Sequence, residues 1–296
     1  MAEEKISIEW LAKRIHEEVY SRFYSYKTAV FLCGAGPDNK NSVREQINNA
    51  LLSGWNSFQY DIFRPEDLFG ELMSGPHHQD LIALENMLAD SVDAVVLAVE
   101  SWGAVAELGS FASNPRLRKK IVCLVDKLYK KRRSFINFGP VRLLKDRKEG
   151  EVLYIDFSDA ASDIDKVRKA IAQVRKHGSK SASLANVVQA HHFVLSCIYL
   201  VEPVARRGLA LLVRHASGAD ERRAEALTAG ALAMLNKYGE VHLTSEGYRL
   251  SKDGLAHFTV LGRRGRAGQT VNVKAMDALR VAILNRQRQR RPLFIQ

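Results

Sequence analysis

The stretch DAVVLAVESWGAVAELGSF, residues 93–111, decides how the rest of the chain is interpreted. It begins with an uninterrupted apolar run, residues 94–99, which is typical of a strand buried on both faces of a parallel sheet. The run ends at a polar, glycine-containing turn, residues 100–103, and a helix-favouring set follows over residues 104–109. Ligands of open α/β sheets bind at the carboxyl ends of the strands, so we expect this turn to lie at a ligand-binding edge.

Glu107 lies within the first turns of the predicted helix, one residue before Leu108 and two before Gly109. A carboxylate at this position can face the crevice above the sheet instead of bulk water. The alternative is that Glu107 only complements the positive end of the helix dipole. Spacing alone leaves both interpretations open.

Other apolar runs alternate with helical patterns along the first half of the chain. The predicted strands cover residues 28–33, 58–63, 94–99, 121–125 and 152–157. Alternation of this kind predicts an α/β fold with a Rossmann-like doubly wound parallel sheet.

Two connections of this sheet contain candidate ligand-binding residues. The first strand ends at Cys33 and continues into Gly34-Ala-Gly36, ahead of a helix for which Asn41 or Ser42 is a plausible N-cap. Glycines in such a turn let the backbone approach a phosphate or a sugar, although many turns use glycine for shape only. After the second strand, Pro65 is followed by two acids, Glu66 and Asp67.

Composition and charge bound the remaining possibilities. The 296 residues are enough for two domains, and 46% of them are hydrophobic, as in a globular protein. The longest apolar runs fall short of the roughly 18 residues that a membrane span needs. The first residues, MAEEKISIEW, contain early acids and no apolar segment, and the three cysteines are far apart within apolar runs. We therefore expect reduced thiols in a cytoplasmic protein without a secretory signal, a membrane association or a metal site.

The positive charge is concentrated in the second half of the chain. Residues 1–157 contain 21 Lys and Arg against 22 Asp and Glu, whereas residues 158–296 contain 23 against 11. Such a balance favours contact with phosphate backbones, and a solvated basic surface is the alternative.

Residues 177–183 form a polar segment that we interpret as a linker, which gives predicted domains at 1–176 and 184–296. The second domain begins with helical patterns. Two short strands that turn at Glu246-Gly247 follow, and then a helix start, as in a winged helix. Its charge extends into an arginine cluster and a basic tail. The arginines that we expect to contact nucleic acid or a partner protein are Arg263, Arg264, Arg266, Arg286 and Arg288.

The central stretch resembles the motif of nucleoside 2-deoxyribosyltransferases, in which the glutamate before Leu-Gly is the nucleophile. The resemblance is closest to the deoxyribosyltransferase-like effectors of bacterial retron anti-phage systems. Five stretches carry it, in order: FLCG (31–34), PEDLF (65–69), LENMLAD (84–90), ELGSF (107–111) and RSFINFGPVRLL (133–144).

The resemblance implies a role for individual residues. Glu107 matches the nucleophile, and Glu85 falls where the transferases carry an acid, usually Asp, that meets the leaving base. Ser101, with Glu100 beside it, stands where the transferases have the sugar-binding Asp. Asn137 corresponds to an asparagine that completes the sugar pocket across a subunit interface. The substrate-binding residues that we expect are Cys33, Gly34, Gly36, Glu66, Asp67, Glu100, Ser101, Gly103 and Asn137.

The implied function is that of a toxic effector that cleaves NAD+ as a substrate and needs no cofactor. The resemblance also implies control by the retron reverse transcriptase and its RNA–DNA hybrid product, and assembly into a homo-oligomer or larger complex. Two alternatives stay open. One is a transferase or hydrolase acting on purine (deoxy)nucleosides or nucleotides, and the other is a non-catalytic nucleic-acid-binding component.

Overall fold

The computed structural model of the protein describes residues 7–21, 27–36, 38–53, 59–66, 91–177, 184, 187–255 and 273–288. Its contacts divide the chain into two compact units. We call residues 27–181 the sheet unit, and residues 1–26 together with 182–296 the helical unit.

The described residues form strands and helices with the following bounds. The strands are β1 (Thr28–Cys33), β2 (Tyr60–Phe63), β3 (Ala94–Ala98), β4 (Ile121–Asp126), β5 (Glu151–Ile155), β6 (Val241–Thr244) and β7 (Gly247–Leu250). The α-helices are α1 (Ile8–Arg14), α2 (Val43–Leu52), α3 (Trp102–Ser113), α4 (Pro115–Arg118), α5 (Phe135–Phe138), α6 (Pro140–Arg147), α7 (Ile164–His177), α8 (Val187–Val201), α9 (Arg206–Ser217), α10 (Glu221–Lys237) and α11 (Val273–Arg288).

Strands β1 to β5 form one parallel sheet in the order β2-β1-β3-β4-β5. Every residue of β1 and of β3 is buried, as the uninterrupted apolar runs predict for central strands covered on both faces. The predicted α/β fold with a parallel sheet is therefore confirmed, with β3 one residue shorter than expected.

Helices cover both faces of this sheet. On one face, Val30 and Val96 belong to a buried cluster that includes Ile47 of α2 and Ile171 of α7. On the other face, the ring of Phe31 lies 6.4 Å from that of Phe111 of α3. Because neighbouring residues of a strand point to opposite faces, Val30 packs against the helices of one layer and Phe31 against the helix of the other.

The helical unit is built around α8. All but one of its fifteen residues are buried, which is expected of a helix that is apolar all round. The predicted hairpin is also present, since β6 and β7 pair antiparallel. Gly247 has a φ of 134°, and a Cβ there would lie 2.7 Å from the backbone of Val204, so this turn requires glycine. Among the described residues, no helix is both long and apolar enough to cross a membrane.

The amino-terminal helix belongs to the helical unit, although the sequence division placed it in the first domain. Helix α1 begins at the N-cap Ser7 and continues as a π-helical segment, Ile15–Tyr20. The ring of Tyr20 lies 6.3 Å from that of Phe193 in α8. This helix therefore packs against an element that is distant in the sequence, which the position of the linker does not indicate.

Candidate active site

The turn between β3 and α3 is joined to the end of β1 by Ser101. Its hydroxyl donates a hydrogen bond to the carbonyl oxygen of Gly34 at 3.0 Å and accepts one from the backbone N–H of Ala104 at 3.1 Å. Ser101 is thus the N-cap of α3 and a link between two neighbouring strand ends.

Glu100, the residue before this cap, binds the backbone of the β1–α2 connection. One carboxylate oxygen accepts from the N–H groups of Ala35 and Arg44, both at 3.0 Å, and the other accepts from Val43 at 2.7 Å. An N-terminal helix end is a common site for phosphate, but here a carboxylate of the chain itself satisfies those donors. At the glycine turn after β1, the Glu100 carboxylate therefore takes the place that a bound phosphate would occupy.

Gly34 is needed at this point because of close contacts. A Cβ at position 34 would lie 2.7 Å from the Glu100 Oε1 atom and 2.7 Å from the Arg44 Cβ atom. By contrast, a Cβ at Gly36 would meet no atom of the described residues within 4 Å, and one at Gly103 would meet only the Ser101 hydroxyl at 3.9 Å. The part of the chain that the structure describes therefore leaves room beside Gly36 and Gly103.

Glu107 lies in the second turn of α3 and is largely buried, with its Oε2 atom inaccessible to solvent and without a hydrogen-bond partner among the described residues. Burial raises the pKa of this carboxyl above its usual value. A hydrogen bond from Cys33 and the positive charge of Arg44 act in the opposite direction, and the charge of Glu66 adds to the increase. The carboxylate is thus desolvated, and Cys33 and Arg44 offset part of the cost of its charge.

Cys33 is the last residue of β1 and is fully buried. Burial raises the pKa of its thiol well above the usual value, and the nearby Glu107 carboxylate raises it further. The thiol therefore stays protonated and can donate to Glu107. Cys33 was predicted to bind substrate, but its side chain is inaccessible to solvent and interacts with Glu107.

Arg44, near the start of α2, is the charged group that sequence reasoning missed. Its side chain is 2% exposed and forms a two-point ion pair with Glu66, with distances of 3.1 Å (Nη1–Oε2) and 2.9 Å (Nη2–Oε1). The sequence does indicate that Arg44 is buried. Arg44 precedes Ile47 by three residues and Leu51 by seven, so it lies on the buried apolar face of α2. Glu66, which was predicted to bind substrate, is the partner of Arg44, and its charge is near enough to raise the pKa of Glu107.

Asn137 stabilises the loop that follows β4. Its side-chain amide donates to the carbonyl oxygens of Tyr129 at 2.9 Å and Arg132 at 2.7 Å. The structure therefore brings together Cys33, Arg44, Glu66 and Glu107, while Asn137 holds a neighbouring loop.

Several predicted site residues lie outside the described residues. They are Glu85, Asp67, Arg263, Arg264 and Arg266. Arg286 and Arg288 belong to α11, but their side chains are likewise not among those described.

Comparison with known proteins gives the family. Residues 40–243 match the model of the STM3845 retron effector protein family. A relative from Escherichia coli, named a proposed ribosyltransferase and DNA-binding protein of retron Ec86, is 33% identical over 288 residues, which cover 93% of this chain and 90% of the relative. The equivalent protein of retron Ec73, also from Escherichia coli, is 26% identical over 144 residues, or 47% of this chain and 46% of the relative. Since the family model spans more than half of the chain and the Ec86 relative aligns along nearly all of it, the chain belongs to the retron effector protein family.

Proposed function

We propose that this retron effector is a deoxyribosyltransferase-like N-glycosidase that cleaves the bond between nicotinamide and ribose in NAD+, with Glu107 as the nucleophile. The observation that supports it best is the desolvated Glu107 carboxylate, which has one oxygen without a hydrogen-bond partner among the described residues. A carboxylate that served only the helix dipole would gain nothing from burial, because desolvation disfavours its charge. The ribosyltransferase names of the Ec86 and Ec73 proteins support glycosyl-transfer chemistry in this family.

In the proposed reaction, a Glu107 oxygen forms a bond to C1′ of the ribose. The C1′–N bond breaks, and its electron pair neutralises the pyridinium ring, so nicotinamide leaves as a neutral molecule. Water then attacks C1′, the ester bond to Glu107 breaks, and a proton is released with ADP-ribose. The charge of Arg44 favours the ionised carboxylate that the first step needs.

A cationic leaving group suits the residues of this chain. General acid catalysis typically contributes about 10²–10⁴ in rate, and a neutral purine depends on it more than nicotinamide does. The acid position of the transferases is held by Glu85 in place of the usual Asp. The sugar-binding Asp is replaced by Ser101, whose hydroxyl is bonded to Gly34 and Ala104. Both departures favour NAD+ over a deoxynucleoside.

The helical unit is the part of the chain that we expect to meet the other components of the retron. We propose that residues 184–296 include a winged helix that docks onto the retron reverse transcriptase and its RNA–DNA product and holds Glu107 inactive until infection. The β6–β7 hairpin and the basic excess of this half support it. Replacing Arg263, Arg264 and Arg266 together should weaken binding to the purified complex and reduce its salt dependence, by about 0.9 in slope for each duplex phosphate that the variant no longer neutralises. Co-purification of a chain lacking residues 184–296 with that complex would refute the docking.

One experiment tests the catalytic proposal against its alternatives. The purified protein is incubated with NAD+, ATP and deoxynucleosides, and the products are identified by mass spectrometry, with Glu107→Gln as the control. We expect ADP-ribose and nicotinamide from NAD+ and no products from Glu107→Gln. Faster cleavage of deoxyadenosine or deoxyinosine would establish the transferase-like alternative. Absence of every product, with the protein folded and freed of its partners, would favour the non-catalytic one.

A further inference from the structure

The basic charge of the sheet unit is concentrated around β4 and the connections that flank it. Residues 116–148 contain 13 Lys and Arg against 2 Asp and Glu, although residues 1–157 as a whole are nearly neutral. Some of these cations are compensated, since Arg118 pairs with Glu149 and Lys127 with Asp156. The four consecutive residues 130–133, Lys-Lys-Arg-Arg, are all exposed, and none of them forms an ion pair with the described residues.

The same connection exposes large apolar side chains. We call residues 127–139 the β4 loop. Phe135 is 88% exposed, Phe138 57% and Leu128 72%. An apolar group of this size in water is typical of a binding surface, particularly when charged residues surround it.

Specific hydrogen bonds fix the backbone of the β4 loop. The two bonds from the Asn137 amide close the segment around residues 129–132. The Ser134 hydroxyl caps the short helix α5 by accepting from the Asn137 backbone N–H at 3.3 Å. Gly139 ends it with a 2.7 Å bond to the Phe135 carbonyl oxygen, where a Cβ would lie 2.8 Å from that oxygen. The β4 loop therefore presents a preformed surface.

The cationic surface extends onto the neighbouring strand. The ammonium groups of Lys130 and Lys145 lie 5.5 Å and 4.5 Å from the ring centre of Tyr154 in β5. Five cations and several exposed rings thus lie on one connection and its neighbour, at the carboxyl end of β4.

We propose that the β4 loop binds single-stranded nucleic acid, with residues 130–133 on the phosphates and Phe135 and Phe138 stacked on bases. Interleaved cations and exposed rings match a strand whose base faces are free. A duplex would satisfy the cations but would leave the rings without a stacking partner, because its base faces are already covered. A single nucleotide has one base and too few phosphates for this number of groups. Binding of a single strand by the β4 loop does not depend on the proposed cleavage of NAD+.

The experiment measures binding of a short single-stranded DNA to the full chain by fluorescence anisotropy at several salt concentrations. Lys130→Gln/Lys131→Gln should lower the affinity and reduce the slope of log affinity against log salt by about 0.7 for each phosphate that the variant no longer neutralises. The matched control is Lys169→Gln/Lys176→Gln, which removes two exposed lysines of α7 and should bind like the wild type. Equal behaviour of the two double variants would overturn the proposal.

Two further measurements separate stacking from charge, because the helical unit is also basic. Phe135→Ala/Phe138→Ala should lower the affinity by at least about fivefold for each base that is no longer stacked, with little change in salt slope. Photo-crosslinking of a halogenated oligonucleotide should label the β4 loop. Crosslinks only outside residues 127–139 would refute the proposal. So would a phenylalanine double variant that keeps full affinity for the oligonucleotide.

Discussion

The thiol of Cys33, a fully buried residue of β1, acts on the carboxylate of Glu107 as a hydrogen-bond donor that lowers the pKa of that carboxyl. The donor stabilises the ionised carboxylate, whereas the surrounding burial destabilises it. Cys33 therefore bears on the protonation of Glu107 without itself being accessible to a ligand.

Cys33→Ala removes this donor and should move the acid limb of the pH–rate profile for NAD+ cleavage to higher pH. One hydrogen bond contributes about 1 kcal/mol, or roughly a fivefold loss of rate on that limb. Cys33→Ser keeps a donor and serves as the control. Identical acid limbs for the wild type and Cys33→Ala, measured on folded proteins, would show that the thiol has no influence on Glu107.

Glu107→Gln should abolish base release and raise the melting temperature at neutral pH. Burial raises the pKa of Glu107 in the folded state above its unfolded value, so the ionised carboxylate disfavours folding above that range. The neutral amide removes this penalty, which we expect to be up to about 1 kcal/mol. The difference in melting temperature should vanish as the pH falls below about 4, where both states are protonated. A melting temperature that is lower than wild type at pH 7 would contradict the desolvated site, and residual turnover would contradict the nucleophile.

Arg44→Met should destabilise the fold by about 1–3 kcal/mol in urea unfolding, because it removes a buried cation and leaves Glu66 without its two-point partner. It should also move the acid limb of cleavage to higher pH, since the charge of Arg44 lowers the pKa of Glu107. Arg64→Met breaks another ion pair to α2, at Glu45, and is the matched control. We expect it to leave the acid limb unchanged, and an equal shift in both variants would exclude a specific effect of Arg44.

Gly34→Ala should cost about 1–3 kcal/mol of stability, because the added methyl group would overlap the Arg44 side chain and a Glu100 oxygen. Gly36→Ala, two residues later, meets no described residue within 4 Å and should unfold like the wild type. If substrate approaches the backbone of this turn, Gly36→Ala should raise the KM for NAD+ while leaving the stability of the fold unchanged. Similar unfolding midpoints for the two alanine variants would contradict the close packing at Gly34.

The sheet could be predicted from sequence because its signal is local. The uninterrupted apolar runs in β1 and β3 mark strands that are buried on both faces, and the order of strand and helix then limits the topology. The Ser42 N-cap of α2 likewise follows from neighbouring residues.

The contacts of Glu100 and Arg44 could not be predicted in the same way. A carboxylate at a strand end has the same sequence pattern whether it binds a sugar or, as Glu100 does, three backbone N–H groups. Only the approach of the β1–α2 connection to the end of β3 decides between them, and that approach joins segments more than fifty residues apart. Arg44 and Glu66 meet for the same non-local reason.

The position of α1 in the helical unit has a consequence for biosynthesis. Leu11, Ile15 and Val19 are fully buried in that unit, and their packing partners begin at α8. At ribosomal rates of about 5–20 residues per second, this apolar face waits on the order of ten seconds or more for those partners to be translated. The sheet unit, whose chain is contiguous, can fold during that interval. Helix α1 is therefore translated before the sheet unit but buried only after it, and in the meantime its apolar face is available to a chaperone.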